Sequence, residues 1–163
     1  MLKCAAKVYL QRMSVIWSSP LSDFHKVMAS NQFAVPILSY LMWTQVWPIA
    51  ELQRLDRETR KVIAKNGAKH PLGSTLLMYL RRKSGVRGLK LVDSGYKLIK
   101  IKAAVKLYSY TNQTMTMVRD VEKKPEYTSG QSLTKDAIKY AEGLQLRLTL
   151  YRISRTERLY RGW

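Results

Sequence analysis

Apolar residues recur every three or four positions along most of this chain, which is the period of an α-helix. The clearest case begins at Pro48, continues with Ile49 and Leu52 on one arc, and ends at Asn66-Gly67, a common helix terminator. The same period predicts helices over residues 2–17, 23–33, 36–46, 48–67, 74–80, 96–110, 113–123 and 132–142. We therefore expect a mainly α fold, a multi-helix bundle.

Three details refine this expectation. Within the predicted helix 96–110, Leu98, Ile101, Val105 and Tyr108 fall on one apolar strip. The alternation of apolar and basic residues over 99–102 would equally suit a strand. Apolar and polar residues alternate over 144–150, a pattern that predicts a short strand or extended segment. The run 125–131 has the composition of a linker. It divides the chain into a predicted helical domain at 1–124 and a C-terminal helix with a basic extended tail at 132–163.

The charge balance is strongly basic. Twenty-nine Lys and Arg residues against eleven Asp and Glu give a net charge of +18, which predicts an acidic partner such as RNA or DNA. A single cysteine, Cys4, excludes an internal disulfide, and one Cys with two His cannot assemble a zinc or iron–sulfur site. We expect no metal and no cofactor, with Cys4 as a small apolar filler in its helix.

No charged residue occurs between Lys26 and Glu51, which raises the question of a membrane span. Pro36, Pro48 and several polar residues interrupt the stretch, so an apolar run of about 20 residues is missing. We therefore predict a buried helix and no stable membrane association. A small membrane or organellar protein that uses residues 27–50 remains an alternative.

The positive charge is least compensated from Arg81 to Lys106, where nine basic residues and one acid give a local net of +8. Gly85 and Gly88 in this region would let backbone amides approach a phosphate. Tyrosines 79, 96 and 108 are candidates for stacking on unpaired bases, with core packing as the alternative. The basic residues that we predict to contact nucleic acid here are Arg81, Arg82, Lys83, Arg87, Lys90, Lys97 and Lys100.

The predicted helix 48–67 carries a second basic group opposite its apolar arc, formed by Arg54, Arg57, Lys61 and Lys65. Arg57 and Lys61 are further candidates for phosphate contact, and so is His70, which precedes a proline. The alternative is a solvated face stabilised by pairs such as Arg54 with Glu58 and Asp56 with Arg60.

Catalytic chemistry has little support in the residues. Metal-assisted nucleotidyl transfer needs several converging carboxylates, but the five aspartates are isolated in sequence and no Asp-Asp pair occurs. The segment Gly85–Gly88 lacks the length and the lysine of a phosphate-binding P-loop. We expect no enzymatic activity from this chain alone.

The segment from His70 to Leu89 resembles a sequence found after the polymerase core in reverse transcriptases of non-LTR retrotransposons. That sequence contains His-Pro, then Leu-Tyr-Leu-Pro-Arg, then Gly-Gly-Arg-Gly-Leu. Further similar segments lie at 31–40, 47–61 and 67–71, so the resemblance covers roughly residues 5–143 in the family's order. Arg81 stands where the family usually has proline, Val86 where it has the second glycine, and Leu77 where arginine is common.

This resemblance implies an all-helical thumb and connector that grips the template–primer duplex behind a polymerase site. The chain would then be a fragment without the palm and endonuclease, inactive alone, with a missing polymerase partner and an affinity for RNA, DNA or an RNA–DNA duplex. A stand-alone basic RNA-binding or ribosome-associated protein is the alternative. Either would be intracellular, in the cytoplasm or nucleus, and the basic residues 2–17 leave mitochondrial targeting as a further alternative.

Overall fold

The computed structural model describes residues 2–66, 76–79, 88–110, 112–124, 132–146, 148 and 150. Of these residues 82% are helical and none lies in a strand, so the mainly α fold is confirmed. The chain divides into two compact units, Met1–Tyr96 and Lys97–Trp163. The predicted linker 125–131 lies outside the described residues, and the division into domains there stays a prediction.

The described helices follow the apolar period closely. Helix α6 begins at Val92 rather than at Tyr96, so that Asp93 and Ser94 lie in its first turn instead of before it. The other predicted helices are present with small shifts at their ends. The elements are α1 Leu2–Ser18, α2 Asp23–Ala29, a π-helical turn Ser30–Ala34, α3 Val35–Thr44, α4 Ile49–Lys65, α5 Leu76–Tyr79, α6 Val92–Ser109, α7 Gln113–Lys123 and α8 Leu133–Gly143.

The core of the first unit forms around α1, which packs against both α3 and α4. Its buried side carries Tyr9, Met13 and Trp17, spaced by four residues so that they share one face. The Tyr9 hydroxyl and Thr59 Oγ1 of α4 share a buried hydrogen bond of 2.9 Å, which satisfies both polar groups inside the core. Cys4 lies on the opposite, exposed side, so its predicted role as a buried filler is wrong.

Helices α2 and α3 are joined by the π-helical turn into one continuous helix, because Ala29, Ser30 and Val35 all keep right-handed helical backbone angles. Buried residues follow at steps of three and four along it: Val27, Ser30, Ala34, Leu38 and Met42. Four-residue steps overshoot the α-helical turn of about 3.6 residues, and a wider π turn absorbs part of that drift. The buried residues therefore stay aligned on α1.

The prediction that residues 36–46 form a buried helix is wrong in one respect. A helix is present, but Tyr40 and Trp43 on its outer side are exposed. The stretch contains more large apolar residues than a single buried face can hold.

A buried carboxylate attaches α4 to the start of α6. Asp56 Oδ1 accepts the backbone N–H of Val92 at 2.8 Å, and Asp56 Oδ2 accepts that of Asp93 at 3.1 Å. The first N–H groups of a helix have no partner within it, so this side chain caps α6 from a distant part of the sequence. Burial raises the pKa of the Asp56 carboxyl above its usual value, although the two backbone hydrogen bonds oppose that shift.

In the second unit, two side chains of α7 cap the ends of other helices. Buried Arg119 donates from Nη1 to the Leu107 and Tyr110 carbonyl oxygens, at 2.9 and 3.0 Å, at the C-terminal end of α6. Glu122 accepts the Ser132 hydroxyl at 2.7 Å and the backbone N–H of Leu133 at 3.2 Å, at the start of α8. Charged side chains of one helix thus complete the ends of two others.

The apolar core of the second unit is formed by Ile101 and Ala104 of α6 with Ala137 and Ala141 of α8. The predicted strip of α6 is only partly correct. Ile101 is buried, but Leu98 and Val105 are exposed and Ala104 takes the inner position.

The described part of 144–150 does not form the predicted strand. Residues 144 and 145 make the turn that ends α8, in which Gln145 has a φ of 56° and the Leu146 N–H binds the Ala141 carbonyl oxygen at 2.8 Å. Leu148 and Leu150 pack against the apolar core of the unit. Alternation therefore reflects contact of Leu144, Leu148 and Leu150 with one core, whereas Leu146 is exposed, and no partner strand is present among the described residues.

Replacing Asp56 tests its role as a cap. Asp56→Ala leaves one buried and one partly buried N–H group without an acceptor, and we expect a loss of about 1–3 kcal/mol in the free energy of unfolding. Asp56→Asn keeps one acceptor oxygen and should lose less. The measurement is urea unfolding followed by helical circular dichroism, with the exposed Asp120→Ala as the matched control. Equal stability of Asp56→Ala and the control would contradict the assignment.

The cap made by Glu122 predicts a dependence of stability on pH. Burial tends to raise the pKa of Glu122, but its hydrogen bonds to Ser132, Thr134 and Leu133 outweigh burial and lower it below the usual value. Its contribution to stability is therefore complete above the unfolded-state pKa of about 4.3 and is lost as the pH falls through the lower folded-state pKa.

We expect the stability difference between wild type and Glu122→Gln to shrink as the pH falls from about 7 to about 3. Urea midpoints measured across this range provide the test. The exposed Glu142→Gln serves as the control for removal of one carboxylate from the same helical unit. A difference that stays constant with pH would contradict the role given to the carboxylate.

Candidate nucleic-acid interface

The exposed side of α4 carries the basic group predicted from the sequence: Arg54, Arg57, Lys61 and Lys65. The opposite side is buried through Leu52, Leu55, Thr59 and Ile63, so the packing of α4 turns these cations toward solvent. We call these four residues the α4 basic face.

Two of the four cations form ion pairs within the helix. Arg54 pairs with Glu51, with its Nε at 2.9 Å from Oε2, and Lys61 Nζ lies 2.8 Å from Glu58 Oε1. These hydrogen bonds lower the pKa of both glutamates. The predicted pairing of Arg54 with Glu58 is therefore wrong, and each cation binds the glutamate three residues before it.

Arg57 and Lys65 have no ion-pair partner among the described residues. Exposed pairs of the kind made by Arg54 and Lys61 contribute little and exchange readily with other partners. All four side chains can therefore approach an anion, and Arg57 and Lys65 can do so without breaking any described contact.

A second feature positions the flanks of the basic segment 80–87. The Leu89 N–H donates to the Met78 carbonyl oxygen at 2.9 Å, which brings the residues before and after the segment together. Asn31 of the π-helical turn donates from Nδ2 to the Gly88 carbonyl oxygen at 3.0 Å and accepts the Lys90 N–H at 3.0 Å. Asn31 thus binds the chain on both sides of Leu89 and leaves the Lys90 side chain exposed.

Gly88 has a φ of 74°, a left-handed backbone conformation that glycine adopts without strain. The left-handed backbone conformation where Asn31 binds the chain therefore accounts for a glycine at position 88. Close approach of a phosphate is not needed to account for it.

The predicted contacts fall into three groups. In the first unit, Arg57 and Lys61 are exposed on α4, and Lys90 is exposed in the non-helical residues before α6. Lys97 and Lys100 belong to the second unit and are partly buried, and burial lowers the pKa of Lys100 while nearby Asp136 opposes that shift. The remaining candidates lie outside the described residues: His70, Arg81, Arg82, Lys83 and Arg87.

The three tyrosines considered for base stacking are poorly placed for it. Tyr96 is buried, and its hydroxyl accepts the backbone N–H of Trp47 at 3.3 Å. Tyr79 and Tyr108 are partly buried, and Arg119 lies 6.0 Å from the ring centre of Tyr108. The alternative of core packing holds most clearly for Tyr96.

The exposed aromatic residues of the first unit lie elsewhere, on the helix formed by α2, the π-helical turn and α3. Sequence reasoning missed Tyr40 and Trp43 because it assigned residues 36–46 to a buried helix. The sequence did contain an indication of exposed apolar residues. The uncharged stretch 27–50 has more large apolar residues than one buried face of a helix can hold.

Four of the acidic residues that the structure describes have structural partners. Asp56 and Glu122 cap helices, while Glu51 and Glu58 pair with cations on α4. Across the described part of the chain, no three His, Cys, Asp or Glu residues are placed to hold a metal ion together. Within the same ranges, no helix is both long and apolar enough to span a bilayer.

Comparison with known protein families, with curated proteins and with solved structures finds no match for this chain.

Asn31 offers a test of how the flank of the basic segment is held. Asn31→Ala removes both hydrogen bonds, whereas Asn31→Asp keeps an acceptor for the Lys90 N–H but loses the donor to Gly88. We therefore expect faster amide hydrogen exchange at Lys90 in Asn31→Ala, by about tenfold for a lost bond of typical strength, and little change in Asn31→Asp. The Leu89 amide, bound to Met78, is the internal reference, and equal exchange at Lys90 in all three proteins would contradict the geometry.

Proposed function

We propose that this chain binds the phosphate backbone of a nucleic-acid duplex through the α4 basic face and Lys90. The observation that carries the proposal is the exposure of four cations along one side of α4, two of them without an ion-pair partner among the described residues. Successive cations at spacings of three and four residues lie on one line, which suits a row of phosphates.

The use of acidic residues supports this proposal. The carboxylate of Asp56 is engaged at the start of α6, and Glu51 and Glu58 pair with Arg54 and Lys61, which leaves Arg57 and Lys65 as the cations of the α4 basic face without an ion-pair partner among the described residues. A chain with a net charge of +18 attracts polyanions over a distance set by the ionic strength. In the sequence, Lys90 follows a segment that contains Arg81, Arg82, Lys83 and Arg87.

We further propose, from the resemblance of its sequence, that the chain is a thumb-like fragment of a non-LTR retrotransposon reverse transcriptase. In the parent enzyme such a part would grip the template–primer duplex. The proposal assigns binding to this chain and leaves nucleotidyl transfer to a polymerase domain that it does not contain.

The test is binding of a fluorescent RNA–DNA duplex, followed by anisotropy between about 50 and 200 mM salt. We expect affinity to fall steeply over this range. Arg57→Gln with Lys65→Gln removes two charges without breaking a described ion pair, and it should weaken binding and reduce the slope of log K against log salt by about 2.

Lys135→Gln with Lys139→Gln is the matched control, because it removes the same charge from exposed positions of α8. If both double variants weaken binding equally, net charge rather than the α4 basic face determines affinity. Absence of binding at low salt, or affinity independent of salt, would refute the proposed function.

A further inference from the structure

The continuous helix from Asp23 to Thr44 presents an exposed face of large apolar side chains, formed by Phe24, Met28, Phe33, Tyr40 and Trp43. We call it the aromatic face. Tyr40 is 74% exposed, Phe33 60% and Trp43 43%. The steps from Phe24 through Met28 and on to Tyr40 are multiples of four residues, so these side chains follow one side of the helix.

The helix sorts its apolar residues by type. None of its buried apolar residues, Val27, Ala34, Leu38 and Met42, has a ring, while four of the five residues on the aromatic face have rings. A fold that needed only a filled core would bury the larger rings first, because they remove more apolar area from water. Their exposure therefore indicates a binding surface.

Three kinds of occupant fit an apolar face: a bilayer, a second copy of the chain, or the flat faces of nucleic-acid bases. Exposed Gln32 lies within the aromatic face, between Met28 and Pro36 in the four-residue series. A side-chain amide is costly to bury in hydrocarbon, but it can hydrogen-bond the edge of a base. A second copy would bring together two chains of charge +18.

A cation is fixed at the edge of the aromatic face. Arg12 of α1 donates from Nη1 to the Phe33 carbonyl oxygen at 2.9 Å, and the side chain is exposed. This bond uses one of the five N–H donors of the guanidinium, and the others have no partner among the described residues. Arg12 is thus placed to bind a phosphate next to a ring that can stack on a base.

We propose that the aromatic face binds unpaired nucleotides of a single-stranded nucleic acid. Bases stack on Phe33 and Tyr40, and Arg12 binds a backbone phosphate beside Phe33. This combination of rings for bases and a cation for the backbone is the usual means of binding single strands without reading their sequence. The inference rests on the proposed nucleic-acid binding and adds a single-strand site on a different helix from the α4 basic face.

The experiment compares three fluorescent ligands with the full chain: oligothymidylate of about 12 nucleotides, an abasic oligomer with the same number of phosphates, and the RNA–DNA duplex. The abasic oligomer isolates the contribution of the bases. We expect oligothymidylate to bind about tenfold or more tightly than the abasic oligomer.

Phe33→Ala with Tyr40→Ala should reduce the affinity for oligothymidylate to that for the abasic oligomer and leave duplex binding unchanged. Phe33→Trp with Tyr40→Trp keeps two stacking rings and should retain the preference for bases. Tyr110 in the second unit is 57% exposed, close to the value for Phe33, and Tyr110→Ala therefore serves as the control for loss of an exposed ring. Thermal unfolding by circular dichroism shows whether each variant is folded, and Tyr40→Ala alone provides the test if the double variant is not.

Each outcome decides the inference. Equal affinity for oligothymidylate and the abasic oligomer, or a base preference that survives Phe33→Ala with Tyr40→Ala, would overturn it while leaving duplex binding intact. If that variant instead loses sedimentation with vesicles of phosphatidylcholine and phosphatidylglycerol, and keeps its affinity for oligothymidylate, the aromatic face binds membranes. Failure to bind the duplex while oligothymidylate binding depends on the rings would overturn the proposed duplex function and keep the single-strand site.

Discussion

Two polar side chains hold the segment between the basic residues and α6, and the arrangement of the first unit depends on them. Asn31 binds the backbone at Gly88 and Lys90, and the buried carboxylate of Asp56 binds it at Val92 and Asp93. Backbone N–H and carbonyl groups in such a segment need partners once they leave water, and no strand is present among the described residues to supply them. Side chains from the π-helical turn and from α4 take that role.

The same contacts link the fold to its electrostatics. A chain with few acidic residues has placed Asp56 and Glu122 at helix ends, where they satisfy N–H groups inside the protein. On α4 itself, Glu51 and Glu58 pair with Arg54 and Lys61, while Arg57 and Lys65 have no ion-pair partner among the described residues. The basic character of the α4 face therefore rests on the excess of cations over carboxylates along that helix.

The continuous helix formed by α2, the π-helical turn and α3 shows how one element can serve two surfaces. The π-helical turn keeps Val27, Leu38 and Met42 directed at α1, and it also supplies Asn31 and the Phe33 carbonyl oxygen to distant partners. A wider turn at such a point is a common mark of functional constraint in helices. The aromatic face on the other side follows from the same alignment, because residues four apart stay together on both faces.

The sequence by itself determined the helices, since their period of apolar residues and their terminating prolines and glycines are local properties of the chain. It also determined the basic side of α4, because an apolar arc from Ile49 to Ile63 leaves Arg57 and Lys65 on the other side. Only the tertiary structure decided which apolar residues are buried: Leu98 and Tyr40 are exposed, although their spacing is as helical as that of Ile101 and Leu38. Three of the leucines that alternate over 144–150, Leu144, Leu148 and Leu150, likewise pack on a core without forming a strand among the described residues. Burial and capping join residues that are far apart in sequence, such as Asp56 with Val92 and Arg119 with Leu107, and no local pattern carries that information.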